Sequence, residues 1–317
     1  MSAAQRQGTL FIFLSVVGYS FFPIWIRSIQ NAGMGALDIA FWRFMIAVPV
    51  FWLVIALVER RSALPLPEFG EGVRPRRPGG RGKSLPHVRL LGMGTLLTAA
   101  ALLAFLGLER IPASTFIVLF YTYPAMVAVM SLFLGERLSW SGWLALGLTL
   151  VGIFLTVPDF GQDLSENNQV GLILALLNAF TVALYFIISS RLLRGHTAMA
   201  RASAWGMMGA LLPMLLITFF RLGELRPVTP DVWGNLLALV VVSTVFPVFF
   251  LNAGIQKVGA ARAAILSTLD PLLTIILAAL FLGERLQPIQ LLGGAFILAS
   301  VLILQVAGRR TPHDQSS

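Results

Sequence analysis

Apolar residues run through this chain in long blocks, broken by short clusters of Arg, Glu, Gly and Pro. Ten blocks are legible, at 9–28, 36–58, 88–108, 112–134, 140–157, 169–190, 197–220, 232–253, 260–282 and 287–307. Each is close to the roughly 20 residues that a helix needs to cross a hydrocarbon core. The runs are continuous rather than alternating with period two, which argues against the strands of a membrane barrel. Backbone amides in lipid must be bonded within their own segment, so a helix is the element left. The pattern predicts an all-α polytopic membrane protein with ten transmembrane helices. The first run continues into Tyr19-Ser20-Phe21-Phe22-Pro23-Ile24-Trp25 with no small-x-small cleavage pattern, and it is expected to be a retained helix rather than a signal peptide.

Composition supports that class. Of 317 residues, 57% are hydrophobic and 12% charged, with a mean hydropathy of +0.84. A soluble chain of this length carries about twice that charged fraction. The absence of cysteine removes disulfides, thiolate metal sites and cysteine nucleophiles.

The net charge of +9 would suit nucleic acid if it gathered on one surface, but its distribution follows the membrane. With the N-terminus inside, the inner segments collect most of the basic residues. They hold Arg6, the cluster Arg60, Arg61, Arg74, Arg76, Arg77, Arg81, Lys83 and Arg89 in and beside a 59–87 loop, and later Arg137, Arg191, Arg194, Arg201, Lys257, Arg262, Arg309 and Arg310. This positive-inside bias predicts cytoplasmic termini in a cell inner membrane, with the lipid bilayer and not nucleic acid as partner.

A repeat organises the blocks. The chain reads GLERIPASTFIVLFYTYPAMVAVMSLFLGERL from Gly107 and GIQKVGAARAAILSTLDPLLTIILAALFLGERL from Gly254. Gly107 and Gly254 are separated by the same interval as Pro124 and Pro271. Five blocks fall in 1–158 and five in 159–310, leaving a short tail at 311–317. An odd number of crossings makes the second copy enter from the opposite side. Inverted repeats of this kind mark secondary transporters with a mid-membrane site between the halves.

With ten runs in two halves, a Pro in the middle of the fourth and ninth, and a closing Leu-Gly-Glu-Arg-Leu, the chain resembles the EamA branch of the drug/metabolite transporter superfamily over about residues 9–307. Asp270-Pro271 matches an acidic residue often found before the ninth-span proline, and Arg43 matches a common arginine of the second span. The resemblance implies a metabolite carrier, often an amino-acid exporter and sometimes an importer. It implies two repeats rocking about a site lined by spans one, three, four, six, eight and nine.

Polar residues inside the spans are costly in lipid and therefore informative. Asp270 lies ten residues into its run, roughly 15 Å deep at the helical rise. Ser267, Asp270 and Thr274 fall at i, i+3 and i+7. Asp270 has the chemistry to bind a substrate amine or carry a proton; a structural acid paired with Arg43 is the other reading. Arg43 offers a fork to a carboxylate, or snorkels toward the interface. Asn178, Thr181 and Tyr185 share one face of span six, Ser15 and Tyr19 one of span one, and Asn252 and Gln256 one of span eight. Such faces line cavities and also glue helices together. Tyr121, Tyr123, Trp42 and Trp205 are candidates for an aromatic wall. The expected substrate or proton contacts are Asp270, Asn178, Tyr185, Tyr19, Tyr123 and Arg43. An architectural role is expected for Pro124 and Pro271, which kink helices, and for Gly135, Glu136, Gly283 and Glu284 of the paired GER motifs. Ser131/Gly135 and Ala279/Gly283 have the small-xxx-small spacing of close helix contacts.

Other classes fit poorly. Gly79-Gly80-Arg81-Gly82-Lys83-Ser84 imitates a phosphate loop, but the spacing requires Gly where Arg77 stands. His87, His196 and His313 fall in loops, the tail or a span end, without a metal or triad pattern, so neither metal nor cofactor is expected and an intramembrane enzyme is remote. A channel would show a filter segment, and a small multidrug-type proton exchanger an acid in the first span. The sequence predicts a secondary transporter that exports amino acids or related compounds by alternating access. Proton coupling fits, and a monomer or homodimer would suffice. Uptake of another small metabolite is the alternative.

Overall fold

The computed structural model describes residues 3–63, 86–111, 113–135, 138–156, 169–196, 198–220, 225, 227–282 and 288–307. Every regular element among the described residues is helical. In chain order these are α1 (Ala3–Ser20), α2 (Phe22–Asn31), α3 (Ala36–Ala63), α4 (His87–Leu108), α5 (Ala113–Phe120), α6 (Tyr123–Phe133) and α7 (Trp140–Thr156). They continue with α8 (Gln169–Leu192), α9 (Met199–Phe219), α10 (Pro230–Val240), a π-helical turn at Val241–Val245, α11 (Phe246–Val258), α12 (Ala260–Ser267), α13 (Leu269–Leu282) and α14 (Pro288–Ala307). Seven segments are long and apolar enough to cross a membrane, and Trp140–Leu155 and Leu291–Leu304 are shorter apolar helices. The outward faces carry large apolar side chains such as Leu53, Leu216, Phe220 and Leu302. Such a surface would aggregate in water and is at home against acyl chains.

Several predicted runs are broken, and a proline follows each break. α1 stops at Phe21 and α2 resumes with Pro23 in its first turn. α5 and α6 are separated by Tyr121-Thr122, with Pro124 in the first turn of α6. Thr268 separates α12 from α13, which carries Pro271 in its first turn. The π-helical turn hands over to α11 with Pro247 in the first turn. Proline has no N–H to close an i to i−4 bond, while the start of a helix tolerates it because no such bond is due there. At two breaks a threonine caps the loose end: Thr122 Oγ1 donates to Leu119 O and Thr268 Oγ1 to Ile265 O, both at 2.6 Å.

The helices of the two halves interleave. α1 packs along α11, α4 lies between α8 and α9, α3 packs on α9, α6 on α8 and α12, and α7 on α14. Residues 1–158 and 159–310 therefore do not pack as two separate bodies. Thr149 of α7 donates to Ser300 Oγ of α14 at 2.8 Å within their buried seam.

Gly135 does not serve close helix packing. Its φ is +80°, it lies just past α6, and a Cβ there would meet nothing within 4 Å. It ends the helix in a left-handed conformation open to glycine. The close approach lies between α4 and α9 instead. A Cβ on Gly94 would fall 1.8 Å from Gly206 O, and one on Gly209 would fall 2.0 Å from Leu91 O. Glu136, Gly283 and Glu284 lie outside the described residues.

Candidate functional site

Three of the breaks, between α1 and α2, α5 and α6, and α12 and α13, border a cavity of about 620 Å³, a volume suited to a small molecule. Its wall is built from the α1–α2 junction (Val16, Tyr19, Phe22, Pro23), Arg43 of α3, the C-terminal half of α4, the α5–α6 junction, the middle of α8, Leu251 of α11 and the α12–α13 junction. All six residues expected to contact substrate or protons line it: Asp270, Asn178, Tyr185, Tyr19, Tyr123 and Arg43. Most of the remaining lining is apolar, including Leu96, Leu97, Phe116 and Phe120.

Asp270 sits in the first turn of α13. Its carboxylate is met by hydroxyls: Ser20 Oγ lies 2.9 Å from Oδ1, and Tyr121 OH donates to Oδ2 at 3.2 Å. Ser20 is also within reach of Val16 O at 2.8 Å, so its proton is shared between two acceptors. Arg43 does not pair with this acid. Its Nε donates to Thr244 Oγ1 at 2.7 Å, and its guanidinium lies 4.7 Å from the Phe22 ring centroid and 5.4 Å from that of Phe44. Thr244 is free to accept because its own hydroxyl donates to Leu239 O at 3.0 Å, across the π-helical turn. One cavity thus holds an acid and a base, each with its own partners.

The aromatic wall is Phe120, Tyr121, Tyr123 and Phe186, with neighbouring ring centroids 5.0 to 6.1 Å apart. Trp42 and Trp205 are not part of it. Trp42 packs on Phe41 and Trp233, and Trp205 on Trp52 and His87. Of the predicted polar faces, Asn178 and Tyr185 reach the cavity, while Thr181 Oγ1 turns back to Leu177 O at 2.7 Å. Ser15 donates to Pro247 O at 2.9 Å, fastening α1 to α11.

Asn252 and Gln256 are taken up by bonds between helices. Tyr185 OH and Ser189 Oγ donate to Asn252 Oδ1 at 2.8 and 2.9 Å, and Asn252 Nδ2 donates to Ser203 Oγ at 3.1 Å. Gln256 Nε2 donates to Leu193 O at 3.0 Å and to His196 O. These bonds tie α8, α9 and α11 together beside the cavity wall. Ser20, Tyr121 and Thr244 were not singled out as partners of the two charges. Hydroxyls in apolar runs are common, and nothing in their spacing names the distant charge that each one meets.

No group of three or more potential metal ligands occurs among the described residues.

A model of the EamA-like transporter family matches residues 6–157 and again 169–306. The transporter YcbK of Bacillus subtilis is 29% identical over 90% of this chain and 88% of its own length. A transporter of Archaeoglobus fulgidus is 30% identical over 69% of this chain and 76% of its own. The threonine/homoserine exporter RhtA of Escherichia coli is 29% identical over 67% of this chain and 69% of its own. A solved crystal structure, 18% identical, superposes with a TM-score of 0.75 over 96% of this chain and 98% of that one, a likeness of fold alone. The chain belongs to the EamA-like transporter family, and it is a multi-pass membrane transporter.

Proposed function

We propose that this protein is a secondary transporter that exports amino acids or related small metabolites by alternating access, with Asp270 contacting the substrate amine or a coupling proton and Arg43 the substrate carboxylate. The carrying observation is the pair of opposite charges that line one apolar cavity without bonding each other. A zwitterion complements both at once, and in a low-dielectric wall the match is worth more than in water. The distant resemblance to RhtA agrees with that chemistry. Tyr19, Tyr123, Tyr185 and Asn178 complete the contact set.

The chain crosses the cell inner membrane ten times, as two inverted five-helix repeats, with both termini cytoplasmic. Three observations support the repeat. The family match comes in two stretches of similar length. Several helix packings recur when elements are exchanged for their counterparts: α1 on α11 corresponds to α8 on α4, and α6 on α8 to α12 and α13 on α1. The breaks before Pro124 and Pro271 also recur at matching places. Broken helices at the centre are the hallmark of carriers whose site opens to one side at a time. Movement of α11 against α8 and α9 then requires the Asn252 bonds to part.

The test is flux in liposomes of purified protein, with a panel of labelled amino acids, with and without a pH gradient. Flux of one class that Asp270→Asn abolishes supports the reading and the role of the acid. Flux unchanged in the variant makes Asp270 structural. No amino-acid flux from folded protein overturns the amino-acid assignment and favours uptake or export of another small metabolite.

A further inference from the structure

Asn178 uses only half of its side-chain amide. Nδ2 donates to Ala100 O of α4 at 2.8 Å, while Oδ1 is buried with no hydrogen-bond partner among the described residues. The residue is 3% exposed and belongs to the cavity wall. Its orientation is fixed by its neighbour: turning the amide over would set its oxygen against the Ala100 carbonyl, two acceptors face to face. Val182 and Phe186 follow at i+4 and i+8 on the same face of α8 and also line the cavity. In this conformation Oδ1 is closed off even to a water molecule, so it stays unfavourably unpaired until a shift of the cavity wall lets a donor reach it.

We propose that Asn178 determines specificity by accepting a hydrogen bond from an N–H or O–H group on the body of the cargo, so that molecules with such a donor are favoured over isosteres without it. This rests on the proposed cavity as the transport site and adds a requirement beyond the charged head group. A charge-matched cargo of purely hydrocarbon body satisfies Asp270 and Arg43 but leaves Asn178 Oδ1 unpaired. A site built around a polar contact discriminates against an analogue lacking it more strongly than an apolar pocket discriminates by size. The preferred class is therefore hydroxyl-, amide- or indole-bearing, and the disfavoured class aliphatic.

The test is binding by thermal stabilisation of the purified full chain, using pairs that differ by one donor in three head-group classes. Threonine and valine serve as amino acids, 1-amino-2-propanol and isobutylamine as amines, and 3-hydroxybutyrate and isovalerate as acids. The donor-bearing member is expected to bind about tenfold more tightly in at least one class. Asn178→Leu, similar in volume and apolar, should bring that ratio close to one. If this variant does not fold, Asn178→Gln keeps the amide, displaces its oxygen by a methylene and should shrink the ratio. Absence of any donor preference in the wild type, no binding in any class, or a ratio that survives in Asn178→Leu overturns the proposal. A preference confined to amines or acids and lost in the variant upholds it while refuting the amino-acid reading.

Discussion

Adding one methyl group at Gly94 should do more damage than its size suggests. Its Cβ would stand 1.8 Å from Gly206 O, 2.8 Å from Gly206 C and 2.9 Å from Ala210 N, all backbone of α9. No rotamer change relieves a clash with backbone. Restoring a carbon–oxygen separation of about 3.2 Å requires α4 and α9 to part by about 1.4 Å, and a gap of 0.5–1 Å already forfeits a quarter to a half of the local dispersion energy. Overpacking of this kind costs roughly 1–3 kcal/mol. The parting also stretches the hydrogen bond from Thr98 Oγ1 to Ala210 O, worth roughly 0.6 kcal/mol in a membrane bundle. At roughly 2–4 °C per kcal/mol, Gly94→Ala should melt about 3–14 °C below wild type. The displacement pushes α4 toward α8, where Ala100 O holds Asn178, so flux should fall as well. The control is Gly92→Ala on the same helix, where a Cβ meets nothing within 4 Å; it should melt no lower than wild type, since alanine is the better helix former. The assay is size-exclusion monitoring of heated protein in detergent, with flux measured in parallel. A Gly94→Ala protein as stable and active as wild type would refute the close approach of α4 and α9.

Two further substitutions address the polar contacts. Asn252→Leu leaves Tyr185, Ser189 and Ser203 without their shared partner, and should lower stability by about 2 kcal/mol, read as an earlier melt; an unchanged melt would mean the three hydroxyls find other partners. Thr244→Val keeps the shape of the π-helical turn but removes the acceptor of Arg43 Nε. It should raise KM for a carboxylate-bearing cargo about three- to tenfold with little change in the maximal rate, and an unchanged KM would show that Thr244 does not position Arg43.

Much of this architecture is written in hydropathy, because a bilayer makes span length and continuity visible along the chain. Asp270 and Arg43 stood out for the same reason: in a long apolar run a charge has to have a purpose. Periodicity read the cavity face less well. Ser267, Asp270 and Thr274 all line the cavity, yet Thr268 breaks the helix between them, so their common placement owes as much to a joint as to one continuous helix face. Asn252 and Gln256 lie on one predicted face, but their amides fasten helices instead of lining the cavity. A hydrogen bond between α11 and α9 depends on which helices become neighbours, and local spacing carries no record of that. Trp42 and Trp205 failed as wall residues for a related reason: an aromatic side chain suits a tryptophan cluster as well as a cavity, and only the packing of α3 and α9 chooses.

The interleaving of the two halves has a consequence for how the molecule is made. Ribosomes deliver α1 to α7 first, and these helices pack chiefly on α8 to α14. Until the later helices arrive, Thr149 lacks Ser300, Ser15 lacks the Pro247 carbonyl, and Thr98 lacks that of Ala210. The newborn first half is a set of loosely associated spans with open polar positions in lipid, and its core comes into being only when the second half threads between them. Assembly of this carrier is thus a closing of two combs, completed late in synthesis, and a chain truncated after α7 would have spans without a bundle.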